Sequence, residues 1–128
     1  MKSETFSKDE RLRGERAFSN LFTNGQSFFH APYKVFWLKI SEQALSPSRF
    51  AVSVPKRRFK RAVKRNIIKR RTREIFRKNK HFLNSKITDG EQVHIIFIYS
   101  SDNLLPSSKL REVIIHILER IVKKLSVN

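Results

Sequence analysis

The chain has 128 residues, with 28 Lys and Arg against 11 Asp and Glu, a net charge of +17 at pH 7. That length fits one compact domain with its own hydrophobic core, and the charge points to a polyanionic partner ahead of an anionic membrane surface. The absence of cysteine excludes disulfides and thiolate metal sites, and no apolar run approaches the ~18 residues of a membrane span.

The first residues, MKSETFSKDERLRGER, lack the apolar core of a secretory signal, so a cytoplasmic protein is expected. Residues 1–12 are polar and expected to be flexible. A short helix is predicted over residues 15–23, where Ala17, Phe18, Leu21 and Phe22 recur at helical spacing, and Asn24-Gly25 supplies a stop. Phe18 and Phe22 lie one turn apart on one face. Rings so placed serve either a core or a platform for stacking bases.

The stretch SFFHAPYKVFWLKI is rich in aromatic and β-branched residues and reads as strand. Ala31-Pro32 should divide it into a short strand at 27–29 and a longer one at 33–40. Alternation puts Val35 and Trp37 on one face and Phe36, Leu38 and Ile40 on the other. Trp37 reads as core. Residues 41–49 are turn formers, and 50–54 form the next strand, with Phe50, Val52 and Val54 on one side and only Ala51 and Ser53 on the other. Pro55 ends it.

Residues 56–80, KRRFKRAVKRNIIKRRTREIFRKNK, hold 14 of the 28 basic residues and one acid, Glu74. A helix is predicted over 62–79. Drawn at roughly 100° per residue, Ile68, Thr72 and Ile75 form an apolar stripe with Phe76 at its edge. Asn66, Lys69, Arg70, Arg73 and Arg77 fall on an adjoining cationic arc. The stripe means that the segment packs on something and is no loose basic arm. Arg70–Glu74 is the obvious i,i+4 pair, and the remaining cations repel one another unless a polyanion is bound. The pattern therefore points to nucleic-acid binding.

Residues 80–92 read as a loop around Thr88-Asp89-Gly90, and 93–99, VHIIFIY, as a strand covered on both faces. Strand, helix and buried strand imply a parallel βαβ crossover, right-handed by the general rule. A last helix should open at Pro106-Ser107-Ser108 with a serine cap and run to about residue 125. Leu110, Val113, Ile114, Ile117, Leu118, Ile121 and Leu125 keep its period. The fold expected is a single-domain α/β sandwich of the α+β class, in the order α-β-β-β-α-β-α, with about four strands.

Catalytic groups are sparse. The acids are scattered, with no strand-borne pair suited to two-metal chemistry. His30, His81, His94 and His116 are isolated in sequence, and three glycines cannot build a phosphate-cradling loop. No catalytic or metal-binding residue is assigned, although a site assembled by folding stays open.

The run AVKRNIIKRRTREIF resembles the Arg-Asn-Arg motif of the bacterial ribonuclease P protein subunit through Ala62, Val63, Arg65, Asn66, Lys69, Arg70, Arg73 and Phe76. It departs at Ile67, where the family has the second Arg, and at Arg58-Phe59-Lys60, which replaces a small or Gly-containing turn. The resemblance implies a left-handed crossover, against the general rule. It also implies that Arg65, Asn66, Lys69, Arg70 and Arg73, with Lys56, Arg57 and Arg61, contact the catalytic RNA. Phe18, Phe22 and Phe36 would line a cleft for the 5′ leader of precursor tRNA. By the same resemblance catalysis belongs to the RNA subunit with its bound magnesium (Mg2+), and the protein is a monomer, one per RNA. Composition alone fits a ribosomal RNA-binding protein equally well, and a free-standing nuclease is the rival from another class.

Overall fold

The computed structural model describes residues 8–126. A four-stranded sheet has the order β1-β2-β4-β3, with β1 at Gln26–His30, β2 at Tyr33–Ser41, β3 at Ser48–Ser53 and β4 at Glu91–Tyr99. Strands β1, β2 and β4 pair antiparallel, whereas β3 and β4 run parallel. Helix α2 (Ala62–Asn84) makes the crossover between that parallel pair. Helix α1 (Glu15–Asn24) precedes the sheet and α3 (Ser107–Ser126) ends the chain. The α-β-β-β-α-β-α order is as expected.

Strand alternation sends two sets of side chains to the two faces. Tyr33, Val35, Trp37, Phe50, Val52, Ile95 and Phe97 meet Ile68, Ile75, Phe76 and Leu83 of α2 and the apolar stripe of α3 in the main core. Phe50 stacks on Phe76 at 4.0 Å between centroids, and the buried hydroxyls of Tyr33 and Thr72 meet at 2.7 Å. On the other face Leu12, Leu21 and Ile96 form a smaller core flanked by Ala17, Phe18, Phe36, Leu38, Ala51 and Ile98. Strand β4 is paired on both edges and covered on both faces, which is why its sequence is apolar almost throughout.

Five expectations need correction. Residues 1–7 lie outside the described residues, but 8–12, expected to be flexible with them, are seated on the fold. Lys8–Glu10 make a 3-10 turn, Arg11 bridges to Phe50, and the Leu12 N–H donates to the Phe50 carbonyl at 3.0 Å. Helix α2 runs to Asn84, past the expected end at 79, because Leu83 continues its buried stripe and Lys80 is buried against Glu10. Strand β3 starts at Ser48, two residues early, and β4 at Glu91. Helix α3 has no serine ahead of it: Lys109 and Leu110 donate to the Pro106 carbonyl, each at 3.1 Å, so Ser107 is already helical.

Gly25 ends α1 for a reason other than a left-handed backbone, since its φ is −80°. A Cβ there would lie 2.4 Å from the Leu21 carbonyl oxygen and 2.9 Å from that of Trp37. The close approach of α1 to β2 therefore requires glycine.

Candidate nucleic-acid interface

On α2, Ile68, Thr72, Ile75, Phe76 and Leu83 face the core, so the residues between them are turned outward. Asn66, Arg70 and Arg73 are exposed and Lys69 is half-buried beside them. Arg61, the residue before the helix, and Lys56 and Arg57 in the preceding turn are exposed as well. These seven residues lie along one helix and its lead-in. Arg70 and Arg73 make no ion pair among the described residues.

Glu74 does not join Arg70, as the spacing suggested. It accepts from Arg77 at 2.5 Å and lies 3.7 Å from Lys78. The Arg77 hydrogen bond, with the charges of Arg77 and Lys78, holds its carboxyl below the usual range against the opposing effect of burial. Arg77 is thereby engaged with the single acid of its helix, and Arg70 is left without a carboxylate partner among the described residues.

Arg65 differs from its neighbours. It is half-buried, and its Nη1 donates to the carbonyls of Phe59 at 2.7 Å and Lys60 at 2.9 Å. Arg58 pairs at the surface with the exposed Asp102 at 3.3 Å, and Phe59 is buried. The turn thus holds its form through the Arg65 hydrogen bonds and the buried Phe59 while Lys56, Arg57, Lys60 and Arg61 stay outside.

The second surface lies on the other face of the sheet. The rings of Phe18 and Phe22 are 6.4 Å apart, and Phe22 meets Phe36 edge-on at 4.8 Å. Leu21 anchors α1 beneath them, while Phe22 remains 44% exposed. Register extends this patch. Ser27 stands opposite Phe36, so two residues on Phe29 points to the same face, opposite Lys34. Phe29 is 54% exposed, and the Lys34 ammonium sits 5.7 Å from the Phe36 ring centroid. Neither Phe29 nor Lys34 was singled out from sequence, because which face of β1 is which depends on its pairing with β2.

Several carboxylates are engaged with cations: Glu10 with Lys80, Glu91 with Lys39, Asp102 with Arg58 and Glu112 with Lys109. Among the described residues no group of three His, Asp or Glu is placed to hold a metal ion.

A helix with uncompensated cations on one side of a sheet, and a patch of accessible rings on the other, define an RNA-binding protein of the α+β class. The family model described as Ribonuclease P matches residues 6–122. The ribonuclease P protein component of Porphyromonas gingivalis strain W83 is 41% identical over 99 residues, 77% of this chain and 72% of its own. The Thermotoga maritima RNase P protein, solved in complex with 1-(4-fluorophenyl)-2-thiourea, superposes with a TM-score of 0.68 at 29% identity, covering 86% of this chain and 98% of that one. The Staphylococcus aureus RNase P protein matches in fold, with a TM-score of 0.67 at 23% identity over 89% of this chain and 96% of that one. The chain belongs to the ribonuclease P protein family, whose role lies in tRNA 5′ maturation within a ribonucleoprotein.

Proposed function

We propose that this chain is the protein subunit of ribonuclease P, gripping the catalytic RNA with α2 and the precursor tRNA leader with the aromatic face. The observation that carries this reading is the exposure of Arg70 and Arg73, free of ion pairs, within the family motif on a firmly packed helix. Arginines and lysines neutralise phosphates, and Asn66 can donate and accept at once, so this surface suits a folded RNA backbone. Phe18, Phe22 and Phe36 offer ring faces and edges to unstacked bases, a grip that tolerates any sequence. The leader, being variable and single-stranded, is the substrate segment such a surface serves.

Hydrolysis of the leader bond is assigned to the RNA subunit and the magnesium it binds. The chain's part is to add positive charge where two RNA molecules meet, which lowers the mutual repulsion of their phosphates. It does so as a monomer, one protein per RNA, in the cytoplasm. Reconstitution tests the whole reading. Purified protein with precursor tRNA should cleave nothing, and adding the cognate catalytic RNA at low magnesium should restore leader removal. Cleavage that survives removal of all RNA would make the chain a nuclease, and failure to restore activity would make it a ribosomal-type RNA binder.

A further inference from the structure

The flank of α2 turned toward α3 carries further cations, of which only Arg70 belongs to the motif. Arg70, Arg71, Glu74 and Lys78 from α2 and Ser107 and Arg111 from α3 line a groove of about 630 Å3. Its one carboxylate, Glu74, is held at 2.5 Å by Arg77, which is not part of the groove lining, and lies at 3.7 Å from Lys78, which is. Arg70 and Arg111 form no ion pair among the described residues. Ser107 and Ser108 begin a helix of 20 residues, and their N–H groups reach no acceptor among the described residues. The groove is built and not merely exposed. Arg71 Nη1 donates to the Leu105 carbonyl at 3.0 Å, and the Tyr99 hydroxyl accepts from the Leu105 N–H at 3.3 Å while donating to the Asn103 carbonyl at 2.7 Å. These bonds fix the loop that delivers the α3 N-terminus to the side of α2.

We propose that this groove binds a backbone phosphate of the catalytic RNA, making the start of α3 a second element of the RNA interface. Guanidinium groups and a helix N-terminus together are the chemistry that recognises a phosphate oxyanion. A polymer is favoured over free phosphate because Arg70 belongs to both surfaces. Phosphates crossing α2 at Arg70 pass from the Asn66–Arg73 arc directly into the groove, where Arg111 is exposed and without an ion pair among the described residues to receive them. The inference rests on the reading of α2 as an RNA-binding helix.

The test uses the full chain and the catalytic RNA, with affinity measured across a salt series. Arg111→Ala should weaken binding about five- to tenfold and make the slope of log K against log[salt] shallower by about one, the signature of one lost phosphate contact. Arg111→Lys should keep the slope. Lys124→Ala, a cation at the far end of α3, should change neither. If Arg111→Ala behaves like Lys124→Ala while Arg73→Ala still weakens binding, the groove assignment is overturned and the α2 reading stands. If Arg73→Ala is also silent, both fall. Titration with inorganic phosphate, followed by the Ser107 and Ser108 amide shifts, separates the two sources of the anion. Saturable shifts together with unchanged RNA affinity in Arg111→Ala would assign the groove to free phosphate and overturn the proposal.

Discussion

The guanidinium of Arg65 donates 2.7 Å to the carbonyl of Phe59, one turn before its own helix, and 2.9 Å to that of Lys60. One Nη1 therefore ties α2 to the basic turn that leads into it. The family motif implies that Arg65 touches RNA; in this chain its Nη1 serves the protein's own backbone, while Nε and Nη2 make no such bond among the described residues. An indirect contribution, through the display of Lys56, Arg57 and Arg61, is therefore expected beside any direct one. Arg65→Ala should raise amide hydrogen exchange within residues 56–61 while leaving the α2 interior protected. It should also couple non-additively with Arg57→Ala in catalytic-RNA affinity, by more than ~0.5 kcal/mol, as residues sharing one local arrangement do. Unchanged exchange in that turn would show that the clamp is not what orders it.

The aromatic face separates two roles for phenylalanine. Phe50 is 1% exposed and sandwiched between Phe76 and Phe97, whereas Phe22 is 44% exposed. Phe50→Ala should lower stability by ~3–5 kcal/mol, and Phe22→Ala by clearly less. On holoenzyme, Phe22→Ala should weaken binding of precursor tRNA that carries its leader by ~1–3 kcal/mol for each stacked base lost. Leaderless substrate should bind as before, and so should the catalytic RNA. Equal weakening with and without the leader would remove Phe22 from the leader cleft.

Ile67 stands where the family carries its second motif arginine, and it is half-buried. By helix geometry it sits one turn before Arg70 and Arg71, away from the core stripe. A long side chain there can run out along the helix with its charge in water. Ile67→Arg should therefore change stability by no more than ~0.5 kcal/mol while tightening binding to the catalytic RNA and steepening its salt dependence. A loss of several kcal/mol in a urea melt would mean that Ile67 packs far more tightly than its exposure indicates.

The order of elements, the faces of β2 and the phase of α2 were all legible, because each rests on a local period: Val35 and Trp37 inward, Phe36 outward, Ile68–Thr72–Ile75 as one stripe. What was not legible depends on residues distant in the chain. Lys80 reads as the last charge of a basic run, and its pairing with Glu10, 70 residues away, makes it a buried ion pair that lets α2 continue. Phe29 joins the aromatic face only once β1 is set against β2. Arg71 falls outside the cationic arc on a helical wheel, and α3 gives it a neighbour in Arg111. The stop at Gly25 was legible, but its cause lies in the Trp37 carbonyl packed against it.

His94 makes the stability of the fold depend on pH. It lies between Leu38 and Arg49 in the sheet register and is 7% exposed. Its Nε2 is 2.9 Å from Gln92 Oε1, an arrangement in which the histidine donates, while the Gln92 amide is held by the Ser46 carbonyl at 2.8 Å. Nδ1 is buried with no hydrogen-bond partner, so a proton added there would have no acceptor. Burial first, then the charge of Arg49, lower its pKa from the usual 6.5, and Glu42 offsets this only in part. His30 is lowered too, by burial and by Arg120, His116 and Lys109. With the folded pKa depressed, the unfolded chain binds more protons once the pH drops toward 6.5. Stability is thus full above that value and is lost as the pH falls through it toward the folded pKa, with a slope of at most ~1.4 kcal/mol per pH unit for each histidine. Urea midpoints measured between about pH 7.5 and 5.5 should fall with acidification, and His94→Gln should flatten much of that fall while His30→Gln flattens less, as its smaller burial requires. A profile in His94→Gln that still parallels the parent chain would mean that His94 titrates as an ordinary solvated histidine.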